Sequence, residues 1–98
     1  MELRTLRYFL AVASEKNITR AAELLHVTQP TLSRQMSDLE RELGATLFLR
    51  GKRALTLTED GLLFRQRAED IVELADRAER EFTQRTSVVG GIITLGVV

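Results

Sequence analysis

Hydrophobic residues in the first 43 positions recur every three or four residues, the spacing that places side chains on one face of an α-helix. The pattern predicts three helices: one that ends near Ser14, one that follows Asn17, and one from about Gln29 to about Leu43. Asn17 and Thr28 carry short polar side chains that can cap the second and third helices. Gly44 is expected to end the third helix.

The predicted third helix has two chemically different sides. Its apolar stripe consists of Leu32, Met36, Leu39 and Leu43. The other side and its flanks carry no large apolar residue and comprise Pro30, Thr31, Ser33, Arg34, Ser37, Asp38 and Arg41. Such a helix can pack on a small core and still offer hydrogen-bonding groups and positive charge to base edges and phosphates in a DNA groove.

Two short stretches after Gly44, Thr46–Arg50 and Ala54–Thr58, predict two strands joined by a turn at 51–53. The turn and its edge hold three basic residues and no acid: Arg50, Lys52 and Arg53. A hairpin with a basic tip after such a helix is a wing, which suits a minor groove or a phosphate backbone. The alternative is an ordinary solvated turn.

A fourth helix is predicted to begin after Thr58 and to continue to about Arg85, which gives a length of about 40 Å. Its small and apolar residues alternate at spacings of three and four, as in a heptad seam: Gly61, Phe64, Ala68, Ile71, Ala75, Ala78 and Phe82. We expect two such helices to pair in a dimer. The alternative is docking on the chain's own domain through Leu62, Leu63 and Phe64, and both arrangements can coexist along one helix.

Residues 87–98 predict a hinge and then a strand, Ile92 to Val98, that has no partner strand in the chain. We therefore expect a winged helix-turn-helix domain over 1–58, a linker helix over 59–86, and the start of a truncated larger domain over 87–98. The longest apolar run, Val88 to Val98, is too short to span a bilayer.

The net charge is zero, with 14 Lys and Arg against 14 Asp and Glu, but the charge is segregated. Residues 1–58 carry +3 and residues 59–98 carry −3. The chain has no cysteine and one histidine, so we predict no disulfide, no metal site and no cofactor. No signal peptide is visible, which predicts a cytoplasmic location. No residue cluster indicates an enzyme.

The sequence resembles the LysR-type family of bacterial transcriptional regulators over about residues 2–98. The most specific positions are Ala21–Leu25, Thr28–Met36, Leu39, Glu40, Leu43, Gly44, Leu47, Phe48, Arg50, Arg53, Leu57, Thr58 and Gly61. The resemblance implies a mainly α winged helix-turn-helix followed by a long dimerisation helix and a two-lobed effector domain, which this chain lacks. One departure is Asp60, where the family commonly has alanine. We expect little effect because an acid suits a helix N-terminus.

The resemblance implies sequence-specific binding to double-stranded DNA. Residues expected at base edges are Gln29, Pro30, Thr31, Ser33 and Arg34. Phosphate contacts are expected from Asn17, Thr19, Thr28, Ser37 and Arg41, and minor-groove contacts from Arg50, Lys52 and Arg53. A homodimer, with a tetramer in the full-length protein, would read a partial palindrome. A small-molecule effector would act only through the missing domain.

Several alternatives stand beside these roles. Arg41 could simply pair with Asp38 or Glu42 on the helix surface, and His26 fits a structural turn residue better than a ligand. The main rival function is a pure dimerisation module, which would bind no duplex DNA. A membrane-surface role for the long helix is disfavoured by the acids on its polar face.

Overall fold

A computed structural model describes residues 1–88 of the chain. The predicted strand at Ile92, and the hinge beyond Val88, lie outside the described residues. The first three helices are α1 (Leu3–Glu15), α2 (Ile18–Leu25) and α3 (Gln29–Leu43). The bounds of α3 are those predicted from its apolar spacing, and α1 ends one residue beyond its predicted end.

Short polar side chains begin the second and third helices. The Asn17 side-chain oxygen accepts a hydrogen bond from the Arg20 backbone N–H at 2.9 Å. The Thr28 hydroxyl accepts one from the Thr31 backbone N–H at 3.2 Å. Both predicted caps are confirmed, and each satisfies a backbone donor that the first helical turn leaves free.

The turns after α1 and α2 use left-handed residues that are not glycine. Lys16 has φ 56° and His26 has φ 60°. The backbone N–H of each bonds back to its helix, Lys16 to the Val12 carbonyl and His26 to the Glu23 carbonyl. A left-handed non-glycine residue costs about 1–2 kcal/mol. The helix-turn-helix therefore lacks the glycine that normally marks such a turn, whereas α3 ends on Gly44 at φ 67°, as predicted.

The wing consists of two antiparallel strands, β1 (Phe48–Arg50) and β2 (Leu55–Leu57), with Leu49 opposite Thr56. Both strands are shorter than predicted, although their flanking residues still bond across the hairpin. The carbonyl of Thr46 accepts from the Thr58 hydroxyl at 2.6 Å, and the carbonyl of Leu47 accepts from the Thr58 N–H at 3.0 Å.

The long helix α4 spans Glu59–Val88, three residues beyond its predicted end at Arg85. Thr58 caps it as predicted, since its hydroxyl accepts from the Gly61 N–H at 2.9 Å. A Cβ at Gly61 would overlap the carbonyl oxygen of Leu47. A glycine is needed here because the first turn of α4 presses on the backbone that leads into β1.

The core lies between α1, α2, α3, the wing and the first half of α4. Phe9 is completely buried at its centre, and its ring centroid lies 5.2 Å from that of Phe48 and 4.9 Å from that of Phe64. The other buried core residues are Leu6, Val12, Ala21, Ala22, Leu32, Met36, Leu39, Leu47, Leu55 and Ala68. The predicted fold class, a winged helix-turn-helix followed by a long helix, is confirmed.

The first half of α4 packs on its own domain through Phe64, one of the residues named in the docking alternative, and through Ala68, but not through Leu62 or Leu63. Leu62 and Leu63 are 49% and 54% exposed, whereas Ala68 is completely buried and Phe64 is half-buried. Ala68 therefore cannot belong to the predicted dimer seam, and Phe64 packs on Phe9 instead. The later seam positions are exposed for a different reason: α4 extends past the domain, and every side chain from 77 to 85 is exposed.

As a result, the predicted seam faces the chain's own core at its start and solvent at its end. Ile71, Ala78 and Phe82 are exposed, while Ala75 is half-buried. Leu74, which the heptad count passed over, is exposed on the same side as these three residues. Within residues 1–88, no helix is both long and apolar enough to cross a bilayer.

Candidate nucleic-acid interface

The polar side of α3 is held outward by the burial of its apolar side. Leu32, Met36 and Leu39 are buried in the core, which fixes the rotation of the helix. On the other side, the side chains of five predicted contact residues are exposed: Gln29, Pro30, Arg34, Ser37 and Arg41. Thr31 and Ser33 are half-buried beside them. Packing alone thus presents a continuous hydrogen-bonding surface along α3.

Hydrogen bonds order the first turns of this surface. The Gln29 side-chain amide donates to the Ser33 hydroxyl at 3.3 Å. The Thr28 hydroxyl donates to the Thr31 hydroxyl at 2.7 Å, in addition to its capping bond. Thr28 and Thr31 therefore have structural roles beside the contacts predicted for them. The second amide N–H and the carbonyl oxygen of Gln29 remain available to an outside partner.

The two arginines of α3 differ in their surroundings. Arg41 pairs with Asp38 at 2.9 Å, the surface pair raised as an alternative from the sequence. Both side chains are exposed, so the pair is weakly held. Arg34 is exposed, and no carboxylate among residues 1–88 pairs with it. Its guanidinium is the freer of the two to bind an acceptor outside the protein.

The basic wing tip is exposed at all three predicted positions: Arg50, Lys52 and Arg53. The turn is closed by the Gly51 N–H, which donates to the Ala54 carbonyl at 3.0 Å. Next to the turn, the Leu55 N–H donates to the Lys16 carbonyl at 3.0 Å. This bond ties β2 to the turn before α2, where the predicted phosphate contacts Asn17 and Thr19 are exposed.

One residue that positions the wing was missed in the sequence. The carboxylate of Glu40, on α3, accepts hydrogen bonds from the Leu47 N–H at 2.7 Å and the Phe48 N–H at 3.2 Å. It thereby fixes the start of the wing relative to α3. The available signal was an acid four residues after Met36, at the edge of the buried stripe.

A second missed contact joins α1 to α4. Arg7 and Asp76 form an ion pair at 2.8 Å. The hydrogen bond from the Arg7 guanidinium holds the pKa of the Asp76 carboxyl below its usual value, and the same bond raises the pKa of Arg7. The pair lies on α1 and α4 and so helps set how the long helix leaves the domain.

Comparison with known proteins identifies the family. Residues 3–62 match the family described as "Bacterial regulatory helix-turn-helix protein, lysR family". The transcriptional regulator BsdA of Bacillus subtilis is 43% identical over 97 residues, which cover 98% of this chain and 33% of BsdA. BenM of Acinetobacter baylyi is 43% identical over 98 residues, or 100% of this chain and 32% of BenM. The chain thus spans about a third of the length of these relatives.

Solved structures show the same fold. The BenM_DBD/catB site 1 DNA complex superposes with a TM-score of 0.81 at 44% identity, covering 89% of this chain and 96% of that one. The CbnR_DBD–DNA complex gives a TM-score of 0.82 at 43% identity, with coverage of 88% and 99%. The match to the family over residues 3–62 extends from α1 through the helix-turn-helix and wing to the first turn of α4. This chain belongs to the lysR family of bacterial regulatory helix-turn-helix proteins.

Proposed function

We propose that this chain binds double-stranded DNA sequence-specifically, as the DNA-binding part of a transcriptional regulator. The observation that carries the proposal is the exposed polar surface of α3. It includes Arg34, which pairs with no carboxylate of the described residues, and the same domain carries the exposed basic wing. The BenM_DBD and CbnR_DBD complexes with DNA support it, since both resemble this chain over nearly their whole length.

In this proposal α3 enters the major groove. Arg34 can bind guanine O6 and N7 with two parallel hydrogen bonds, and the Gln29 amide can bind adenine N6 and N7. Ser33 fixes the Gln29 amide through the bond at 3.3 Å. The Thr31 methyl group and the Pro30 ring supply apolar contact, for which a thymine methyl is the matching partner.

Phosphates on either side of the groove would be held by helix N-termini and by surface hydroxyls and cations. Asn17, Thr19 and Thr28 lie at the starts of α2 and α3, where free backbone N–H groups and the helix dipole favour an anion. Ser37 and Arg41 extend these contacts along α3. The wing residues Arg50, Lys52 and Arg53 would reach the adjacent minor groove.

We further propose that the chain acts as a homodimer through the exposed side of α4. Six exposed residues, here called the α4 stripe, lie along it: Leu63, Arg67, Ile71, Leu74, Ala78 and Phe82. Their successive separations are 4, 4, 3, 4 and 4, the same in either direction, so two stripes match when the helices run antiparallel about a two-fold axis. The two α3 helices would then read the halves of a partial palindrome.

The domain division follows from the same proposal: DNA binding over 1–58, the linker helix over 59–86, and a further domain from 87 onward. A small-molecule effector would act through that further domain, and tetramers would form in the full-length protein. The chain would act in the cytoplasm as a binding module rather than an enzyme, in agreement with relatives that are transcriptional regulators.

Titration of labelled duplexes with the wild-type chain and Arg34→Ala tests the proposal. We expect binding that weakens steeply with salt, and a loss of roughly 1–3 kcal/mol in Arg34→Ala that is confined to duplexes with the preferred base. Lys52→Ala should weaken binding to all sequences and flatten the salt dependence. A chain that dimerises but ignores duplex DNA at low salt would instead be a pure dimerisation module.

A further inference from the structure

A partly open cavity lies where the end of α1, the wing and the first turns of α4 meet, and it has a volume of about 180 Å³. We call this space the wing cavity. Val12, Ala13 and Leu55 in its wall are buried, whereas Leu62 is 49% exposed. The cavity can therefore take up the apolar part of a small molecule, which would cover the leucine that folding leaves exposed. Six apolar residues line it: Val12, Ala13, Phe48, Leu55, Leu57 and Leu62.

Both charged side chains that line the wing cavity are cationic. Lys16, in the turn after α1, is exposed, and Arg65, on α4, is half-buried. Within residues 1–88 neither forms an ion pair with a carboxylate, although Glu69 borders a neighbouring hollow beside Arg65. Charges of one sign beside low-dielectric walls raise the local concentration of counter-ions. The wing cavity therefore favours a ligand that carries negative charge.

Volume and charge together define the chemical class of the ligand. An apolar cavity of about 150 Å³ holds a benzene molecule, so the wing cavity has room for a body of roughly six carbon atoms. A guanidinium can donate two parallel hydrogen bonds to a carboxylate. An inorganic anion would leave the apolar lining in contact with water, and a neutral molecule would leave both cations without a partner. A small organic monocarboxylate satisfies both parts of the site.

We propose that the wing cavity binds a small organic monocarboxylate, with the carboxylate on Arg65 and Lys16 and the apolar body against the six lining residues. The site lies in the winged domain itself and is distinct from the further domain through which an effector is proposed to act. Lys16 precedes Asn17, a proposed phosphate contact. The bound carboxylate places negative charge beside that contact and so opposes DNA binding. This consequence rests on the proposed function, whereas carboxylate binding does not.

Titration of the chain with hexanoate, followed by NMR, tests the site, because hexanoate joins one carboxylate to a short apolar chain. We expect saturable binding with a dissociation constant of about 1 mM or lower, and shifts concentrated in the signals of Val12, Leu55 and Leu62. Hexan-1-ol, which lacks the charge, and acetate, which lacks the chain, should each bind at least about tenfold more weakly. Equal binding of hexan-1-ol, or shifts centred on another apolar surface such as that of Leu43, overturns the proposal.

Substitution of the two cations gives a second readout. Arg65→Gln and Lys16→Gln should each weaken hexanoate binding about threefold to tenfold, and Arg65→Lys, which keeps the charge, should lose less. Because Lys16 is exposed, its variant keeps the test decisive if Arg65→Gln fails to fold. Arg80→Gln is the matched control, since Arg80 is an exposed cation about four turns further along α4 and does not line the cavity. An equal loss in Arg80→Gln, or unchanged affinity in both cavity variants, overturns the proposal.

Duplex binding with and without hexanoate tests the consequence for DNA. Saturating hexanoate should weaken DNA binding about twofold to fivefold at low salt, and the effect should fade as salt rises. Sodium acetate at the same concentration controls for ionic strength and should have a smaller effect. An unchanged DNA affinity in the hexanoate-saturated chain overturns the opposition to DNA. A chain that binds hexanoate but no duplex supports the cavity site and refutes the proposed DNA binding instead.

Discussion

The carboxylate of Glu40 connects the recognition helix α3 to the wing, and its removal should loosen both. Glu40→Ala eliminates two hydrogen bonds, at 2.7 Å to the Leu47 N–H and at 3.2 Å to the Phe48 N–H. Hydrogen bonds to a charged group contribute about 1.5–3 kcal/mol each, and the longer one should lie at the low end. The side chain of Leu47 is buried, so its N–H would lose its acceptor close to the core.

Both bonds are only part-buried, and water reduces their combined contribution below that sum. We expect Glu40→Ala to lower the free energy of unfolding by about 2–4 kcal/mol, and Glu40→Gln, which keeps one acceptor oxygen, by about half as much. In a domain of this size the alanine variant should melt at least about 8 °C lower, as followed by circular dichroism. Its DNA binding, at a temperature where it is folded, should show a shallower salt dependence because the wing is no longer fixed.

Glu23→Ala is the matched control, since Glu23 is an exposed helical glutamate whose side chain makes no hydrogen bond within residues 1–88. It should change stability by less than about 0.5 kcal/mol. If Glu40→Ala melted at the same temperature as Glu23→Ala and its DNA binding kept the wild-type salt dependence, the Glu40 carboxylate would not be what holds the wing.

Three further predictions concern other contacts that stabilise the fold. Gly61→Ala should lower the free energy of unfolding by about 1–3 kcal/mol because the added Cβ overlaps the backbone. Gly44→Ala should lower it by about 1 kcal/mol because the residue has a positive φ. A larger loss for Gly44→Ala than for Gly61→Ala in urea titrations would contradict this. Asn17→Ala should lower the free energy of unfolding by about 1 kcal/mol because α2 loses its N-cap. An unchanged midpoint of urea unfolding would refute this prediction. Asp76→Asn should be less stable than wild type at pH 7. Because Arg7 lowers the Asp76 pKa, that difference should fade as pH falls below 3.8, and persistence in acid would exclude the ion pair as its cause.

Local features of the fold were predictable where a residue type is strongly preferred at one position, as Asn and Thr are at helix starts and glycine at left-handed helix ends. The capping side chains of Asn17, Thr28 and Thr58 and the left-handed Gly44 act on their immediate neighbours, so the helix starts and the end of α3 followed from sequence. The apolar spacing of α3 then determined which side is buried, and with it which side chains reach solvent.

Features that depend on distant partners were not predictable in this way. His26 ends α2 with a positive φ, a position where glycine is the usual signal, so its conformation could not be predicted from its residue type. The side of α4 that docks on the domain is set by Phe9 and by the backbone of Leu47, so a heptad count placed Ala68 in the wrong interface. Glu40 was missed because its hydrogen-bond donors lie seven and eight residues further along the chain.

Selection of bound sequences from a random duplex pool, done in parallel with the wild-type chain and Arg34→Ala, tests the assignment of α3 as the base-reading helix most directly. We expect the wild type to enrich a partial palindrome and the variant to lose its preference at one base pair in each half, with the other positions retained. An identical motif from both proteins, or no enriched motif from the wild type, would contradict it.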